Sequence, residues 1–142
     1  MSVDEFLEDG LKPDESVEMI QMFIEDGLDI IHVSGGGMDS GGAMIKAAVK
    51  GDLVKLAGFV KKRVTIPVIA VGGILTLDQA EKALEGEMAD MVALGRALIA
   101  DPALVTKSLE GRADEVVTCT NCMQCFAPSQ EPGITCQVNE SI

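Results

Sequence analysis

The sequence predicts an α/β fold built on a short parallel sheet. Three observations carry this. Apolar runs at 28–33, 66–71 and 89–94 have the length and character of buried strands. Stretches with helical spacing separate them, as right-handed crossovers between parallel strands require. Glycines stand just past each run: Gly35, Gly36 and Gly37, then Gly72 and Gly73, then Gly95.

The elements follow in order. Lys12-Pro13-Asp14-Glu15-Ser16 opens a helix, with proline suited to the first turn and acids that complement the helix dipole. Val17, Ile20, Phe23 and Ile24 continue it at helical spacing, and Gly27 stops it. The first strand covers 28–33. Residues 34–42 are glycine-rich without period, hence a loop. Helical signal returns over about 44–63, interrupted near Gly51. The second strand covers 66–71, with Pro67 at its start, where proline is tolerated. Thr76-Leu-Asp-Gln79 is a capping box for a helix through Ala80, Ala83 and Leu84 that stops near Gly86. The third strand, 89–94, ends at Gly95-Arg96. Asp101 as N-cap and Pro102 at the first helical position start a last helix that ends near Gly111. Beyond it, Pro128 and Pro132 mark a loop. Three parallel strands alone leave faces and edges uncovered, so the chain reads as part of a barrel or of a larger sheet.

At 142 residues and 47% apolar composition, the chain suits one globular domain. Its net charge of −12 repels phosphate backbones and anionic bilayers, which argues against nucleic-acid and membrane partners. Its apolar runs are too short to span a bilayer. The first residues are acidic where a secretory signal would be basic and then apolar. The expected location is therefore cytoplasmic, where thiols stay reduced and metal binding is favoured over disulfides.

The chemistry-bearing residues are few. There is no Trp or Tyr and a single histidine, His32, which an apolar strand more often packs than uses. Glycines at strand ends let backbone N–H groups approach a phosphate, and Arg96 beside Gly95 offers a charged fork to the same group. Each glycine alone is read as a tight turn; three strand ends with an arginine favour a phosphate site.

All four cysteines lie from position 119 onward, as Cys119-Thr-Asn-Cys122-Met-Gln-Cys125 and then Cys136. Crowded thiols suit soft metals. Zinc sites usually pair two separated C-x-x-C knuckles or use histidine. The consecutive spacing here favours an iron–sulfur cluster, with zinc and free or oxidised thiols as alternatives.

His32-Val-Ser-Gly-Gly, Ile66-Pro-Val-Ile-Ala-Val-Gly-Gly-Ile74 and Ala89-Asp-Met-Val-Ala-Leu-Gly-Arg-Ala-Leu-Ile-Ala-Asp-Pro102 resemble the old yellow enzyme family. With the cysteine tail, the chain looks most like the iron–sulfur branch of that family, which includes 2,4-dienoyl-CoA reductase and trimethylamine dehydrogenase. The resemblance implies an FMN-binding (β/α)₈ barrel, of which the three strands would be the sixth, seventh and eighth. It implies two segments: residues 1–112 as the C-terminal half of the barrel and 113–142 as the cluster segment. Gly72 and Gly73 match one half of the FMN phosphate site; Gly95 and Arg96 match the other. Cys119, Cys122, Cys125 and Cys136 match the ligands of a four-iron four-sulfur cluster beside the flavin.

Three departures from the family pattern stand out. Met1-Ser2-Val-Asp-Glu-Phe6 resembles the segment after the fifth strand, so the earlier strands, the substrate-anchoring pair and the usual tyrosine proton donor have no counterpart. The cysteine gaps are two, two and ten residues, against the family's two, three and eleven. The chain ends just past Cys136-Gln-Val-Asn139, where larger members continue into a nucleotide-binding region. The expected function is thus that of a C-terminal fragment of an NAD(P)H oxidoreductase that reduces activated C=C bonds of a small-molecule substrate and is inactive alone. The alternative is a non-enzymatic half-barrel that binds a phosphate ligand or zinc. Such a chain would assemble with itself or with a partner chain supplying the missing half-barrel.

Overall fold

The computed structural model describes residues 1–126 and 133–142; the loop expected at Pro128 and Pro132 lies outside them. In chain order the elements are α1 (Pro13–Glu25), β1 (Ile31–Val33), α2 (Gly42–Val49), α3 (Asp52–Lys61), β2 (Val68–Val71), α4 (Leu77–Glu85), β3 (Met91–Ala93), α5 (Arg96–Ala100) and α6 (Leu104–Leu109). Short 3₁₀ turns occupy Met38–Ser40, Ala113–Glu115 and Gln124–Phe126. The chain divides into two compact units: Met1–Gly73 with Glu81–Ala93, and Ile74–Ala80 with Leu94–Ile142.

The first unit holds the sheet, parallel throughout in the order β1-β2-β3. Ile31 pairs with Val68, and Val71 with Ala93. Residues at the N-terminus add one rung beside β1: Ser34 N–H donates to Met1 O (2.8 Å) and Val3 N–H to Ser34 O (2.9 Å). Ser16 on α1 is fully buried, and its hydroxyl is satisfied by the Val3 carbonyl at 2.9 Å.

One face of the sheet is covered. Ile31, Val33, Val68 and Ala70 pack with Val17 and Ile20 of α1 and Ala57 and Val60 of α3 into a single buried cluster. Because side chains alternate along a strand, the intervening residues point to the opposite face. His32, Ile69 and Met91 stand there in one register row, and His32 and Met91 are exposed. Asp90 fixes the entry to β3. Its carboxylate accepts the Val68 N–H (2.9 Å) and Lys61 Nζ (3.1 Å), while its own N–H donates to Val68 O (2.9 Å).

The caps follow sequence chemistry. Lys12 N–H donates to the Glu15 carboxylate at 2.9 Å. Gly27, at φ +100°, closes α1 with paired bonds from Gly27 N–H to Ile24 O and from Leu28 N–H to Phe23 O, the Schellman arrangement. Thr76 Oγ1 accepts the Gln79 N–H (3.2 Å), and Gln79 Oε1 reaches back to the Leu75 N–H (2.7 Å).

The interruption expected near Gly51 is present: Gly51 turns left-handed at φ +75° and separates α2 from α3. Elsewhere the structure differs from the expectation in two places. The helix α5 was not foreseen: five residues are too few to display a period. Asp101 caps as expected, extended (φ −143°, ψ 100°) with its carboxylate on the Ala103 N–H at 2.9 Å, but the α-helix begins at Leu104 and not at Pro102, because the chain first makes a tighter turn with Leu104 N–H donating to Asp101 O (3.1 Å) and the first i→i+4 bond starts at the Ala103 carbonyl.

The turn after β2 is packed tightly against α2 and α3. Gly73 has φ +76°, and a Cβ there would lie 1.9 Å from the Ala48 carbonyl oxygen; at Gly72 (φ +101°) it would meet Leu53 Cδ1 at 2.3 Å. The Gly73 neighbour is backbone and cannot swing aside. Gly73→Ala is therefore expected to lower stability by about 3 kcal/mol, combining left-handed strain with overpacking. Urea unfolding followed by circular dichroism checks this, and a change below about 1 kcal/mol would contradict it.

Candidate functional site

Within the first unit, Gly72 and Gly73 directly continue β2, as the sequence places them. Their glycine identity is fully accounted for by positive φ and by the approach of Ala48 and Leu53. His32 is an exposed residue on the uncovered face of β1, and its row neighbours are aliphatic or thioether side chains.

In the second unit, Gly95 differs. Its φ is negative (−103°, with ψ −89°), and a Cβ built on it meets no described atom within 4 Å. Packing among the described residues does not call for glycine here. Arg96 follows as the first residue of α5 and is half-buried. Its Nη1 donates to the Met123 thioether at 3.0 Å, a weak acceptor. Among the described residues no carboxylate pairs with Arg96. An unpaired guanidinium beside an open glycine suits an anionic oxygen group such as a phosphate.

The four cysteines are free thiols; Cys119, Cys125 and Cys136 are half-buried and Cys122 is exposed. Asn121 and Met123 adopt left-handed φ values of 56° and 63°, which curl the backbone around the sulfurs. Asn121 N–H reaches Cys119 Sγ at 3.5 Å. The Cys122 thiol is held below its ordinary pKa, chiefly by the Gln124 N–H, then by the Thr120 hydroxyl and the N–H groups of Cys122 and Gln137. Gln137 adjoins Cys136, so the bonding around Cys122 spans both cysteine groups. Asn121 Oδ1 is buried without a hydrogen-bond partner among the described residues. Soft sulfurs lined by N–H donors fit a soft-metal or iron–sulfur group in their chemistry. Among the described residues, no three His, Cys, Asp or Glu side chains are gathered at metal-holding distance.

A model of the NADH:flavin oxidoreductase / NADH oxidase family matches residues 1–115. The chain belongs to this family. It is 41% identical over 123 residues to NADH oxidase of Thermoanaerobacter brockii, covering 85% of this chain and 19% of the relative. It is 29% identical over 140 residues to cinnamate reductase of Clostridium sporogenes, covering 96% of this chain and 21% of the relative. Among solved structures, 2-naphthoyl-CoA reductase in complex with 2-naphthoyl-CoA superposes with a TM-score of 0.78 at 32% identity. That superposition covers 88% of this chain and 19% of the reductase. The chain thus spans about a fifth of the length of these relatives.

The family match contains Gly72, Gly73, Gly95 and Arg96 and ends before Cys119. No helix among the described residues is long and apolar enough to cross a membrane.

One residue of this family member went unrecognised in the sequence beyond a capping role. Asp101 is 4% exposed, and its carboxylate accepts from Lys107 Nζ (2.7 Å), Ala103 N–H (2.9 Å) and Val117 N–H (3.0 Å). Only the long-range partner Val117 is invisible to local pattern. Lys107, followed by the Val117 N–H, holds the Asp101 carboxyl below the usual carboxylate range; at Asp90 the Val68 N–H and then Lys61 do the same. A carboxyl with a depressed folded pKa stabilises the fold above its unfolded pKa near 4, and that contribution is lost as pH falls through the folded value. Thermal stability is therefore expected to fall steeply on acidification below about pH 4. Asp101→Asn should start less stable at pH 7 and lose less on acidification. Melting curves from pH 7 to pH 2.5 check this, and parallel pH profiles for the two proteins would contradict it.

Proposed function

We propose that this chain is a fragment of an FMN- and iron–sulfur-dependent NAD(P)H oxidoreductase, carrying the C-terminal half of its FMN barrel, and that the whole enzyme reduces activated carbon–carbon double bonds of a small-molecule substrate. Residues 1–112 form the half-barrel, with β1, β2 and β3 as its sixth to eighth strands, and 113–142 form the cluster segment. The observation that carries the reading is Gly95: a glycine that packing among the described residues does not require, followed by an arginine without a carboxylate partner among them, directly past a parallel strand. The matched relatives support the substrate class, since cinnamate and 2-naphthoyl-CoA both join an unsaturated carbon system to an electron-withdrawing carboxyl or thioester.

The roles within the chain are these. Backbone N–H groups at Gly72 and Gly73 serve one half of the FMN phosphate site. Gly95 and Arg96 serve the other, the glycine by leaving room and the guanidinium by neutralising charge. Cys119, Cys122, Cys125 and Cys136 bind the cluster as thiolates, with the N–H donors at Cys122 easing its deprotonation. When bound, FMN supplies hydride transfer from NAD(P)H to the alkene and a four-iron four-sulfur cluster supplies single electrons.

Titration of the 142-residue protein with FMN, read by quenching of flavin fluorescence, tests the phosphate site. Gly95→Ala and Arg96→Ala are each expected to weaken binding about tenfold. Gly95→Ala should leave the melting temperature unchanged. Wild-type protein without measurable FMN binding would sink the reading. Anaerobically purified protein should carry about four irons and four acid-labile sulfides per chain. Stoichiometric zinc would replace the cluster with the metal-module alternative. NAD(P)H-dependent reduction of an enoate by the chain alone is expected to be absent, and appreciable turnover would overturn its reading as a half-barrel.

A second reading rests on the sheet itself. Among the described strands none pairs with the outer edge of β3, and the row of His32, Ile69 and Met91 lies on the uncovered face. A bare parallel edge invites another strand. On this reading the chain is a non-enzymatic phosphate- or zinc-binding half-barrel that self-associates or joins a partner chain supplying the missing strands. Light scattering after size exclusion distinguishes the two: a strict monomer at low concentration argues against self-association.

A further inference from the structure

We propose that the stretch from Arg96 to Asp101 is a three-point clamp for the thiol segment, with Asp101 and Asn139 as its positioning residues. The three contacts all arise within the second unit. At the root of the segment, Asp101 Oδ2 accepts the Val117 N–H at 3.0 Å, two residues before Cys119. Lys107 Nζ reinforces this point, donating to Asp101 Oδ2 (2.7 Å) and to the Glu115 carbonyl (3.1 Å). At the far end, Asn139 Nδ2 donates to the Ile99 carbonyl at 2.8 Å, three residues past Cys136. In the middle, Arg96 Nη1 meets Met123 Sδ, between Cys122 and Cys125.

A six-residue stretch therefore grips the beginning, centre and end of a segment that has no strand or α-helix of its own among the described residues. Such a segment carries a large conformational entropy, and binding any group through all four thiols would have to remove it. Fixing both ends beforehand shortens the free chain and lowers that cost. The clamp is also selective by end. Asp101 acts on the approach to Cys119, whereas Asn139 acts on the exit from Cys136. The clamp stands without any bound group; its role in assembling a cluster rests on the iron–sulfur reading above.

The test uses the full chain, reduced and metal-free, with Asp101→Asn, Asn139→Ala and the exposed control Asp114→Asn. An asparagine at 101 must turn its amide donors toward Ala103 N–H or toward Val117 N–H and Lys107, so one set of bonds is lost. Amide exchange measured by mass spectrometry should rise about tenfold over 117–126 in Asp101→Asn and over 133–138 in Asn139→Ala, with α1 to α3 unchanged. Iodoacetamide labelling should accelerate chiefly at Cys119 in the first variant and chiefly at Cys136 in the second. General loosening would accelerate both cysteines alike in each variant. Folded variants with wild-type exchange and labelling, or with that uniform response, overturn the clamp. Should Asp101→Asn fail to fold, Asn139→Ala decides alone. After reconstitution with iron and sulfide, the two variants should retain less iron and visible absorption than wild type. Wild-type protein that takes up no iron removes the cluster role but leaves the exchange result to judge the clamp.

Discussion

One-sided burial of a three-stranded parallel sheet is the constraint on which the first unit depends. Val33, Val68, Ala70, Ala57 and Val60 are completely buried where α3 and α1 lie on the strands. Each such valine contributes roughly 1.5–3 kcal/mol relative to an exposed one. Alanine at 57 and 70 keeps helix and sheet close. The period of two along each strand then dictates the rest: what is not in this layer must face the other way. His32, Ile69 and Met91 are on the uncovered face for that reason, and no separate signal in the sequence is needed to put them there.

The same closeness separates two kinds of glycine. At Gly72 and Gly73 the chain turns directly over Leu53 and the Ala48 carbonyl, so the absent Cβ is a packing requirement. Gly95 sits at a negative φ with open space where its side chain would be. A glycine-rich strand end is thus a mixed signal. The tight-turn explanation accounts for the first pair, while on the proposed reading the open space at the third strand end is left for a ligand. Arg96 strengthens that distinction, because a half-buried guanidinium without a carboxylate partner among the described residues is costly in isolation and comfortable beside an anion.

The order of helices and strands was legible because burial and capping are local. Gly27, the Thr76 box and the three apolar runs each announce themselves within a few residues. Family membership was legible from the strand-end motifs, and the match over 1–115 bears it out. The five-residue α5 was not legible, because it is too short to display a period and has no side-chain cap to announce it. Nor was the second half of Asp101's role. The dipeptide Asp101-Pro102 signals a helix start, and the carboxylate does cap Ala103, but the same group also binds Val117, sixteen residues on. A long-range bond to a backbone N–H leaves no trace in residue identity, since every non-proline residue offers that donor.

The electrostatics of the thiol segment give these contacts a common purpose. On the proposed reading, four thiolates around one cluster would repel one another, and a chain of net charge −12 offers little counter-charge. The means it does use are dipolar. Left-handed Asn121 and Met123 turn the backbone around the sulfurs, and N–H groups of Asn121, Gln124 and Gln137 are directed at Cys119 and Cys122. Arg96 adds a fixed positive charge at Met123. A guanidinium has five donors in a planar fork, and its contact with Met123 uses one nitrogen, leaving the rest of the fork for an anionic oxygen. On the proposed reading, then, one arginine meets the flavin phosphate with part of its fork and steadies the thiol loop with another.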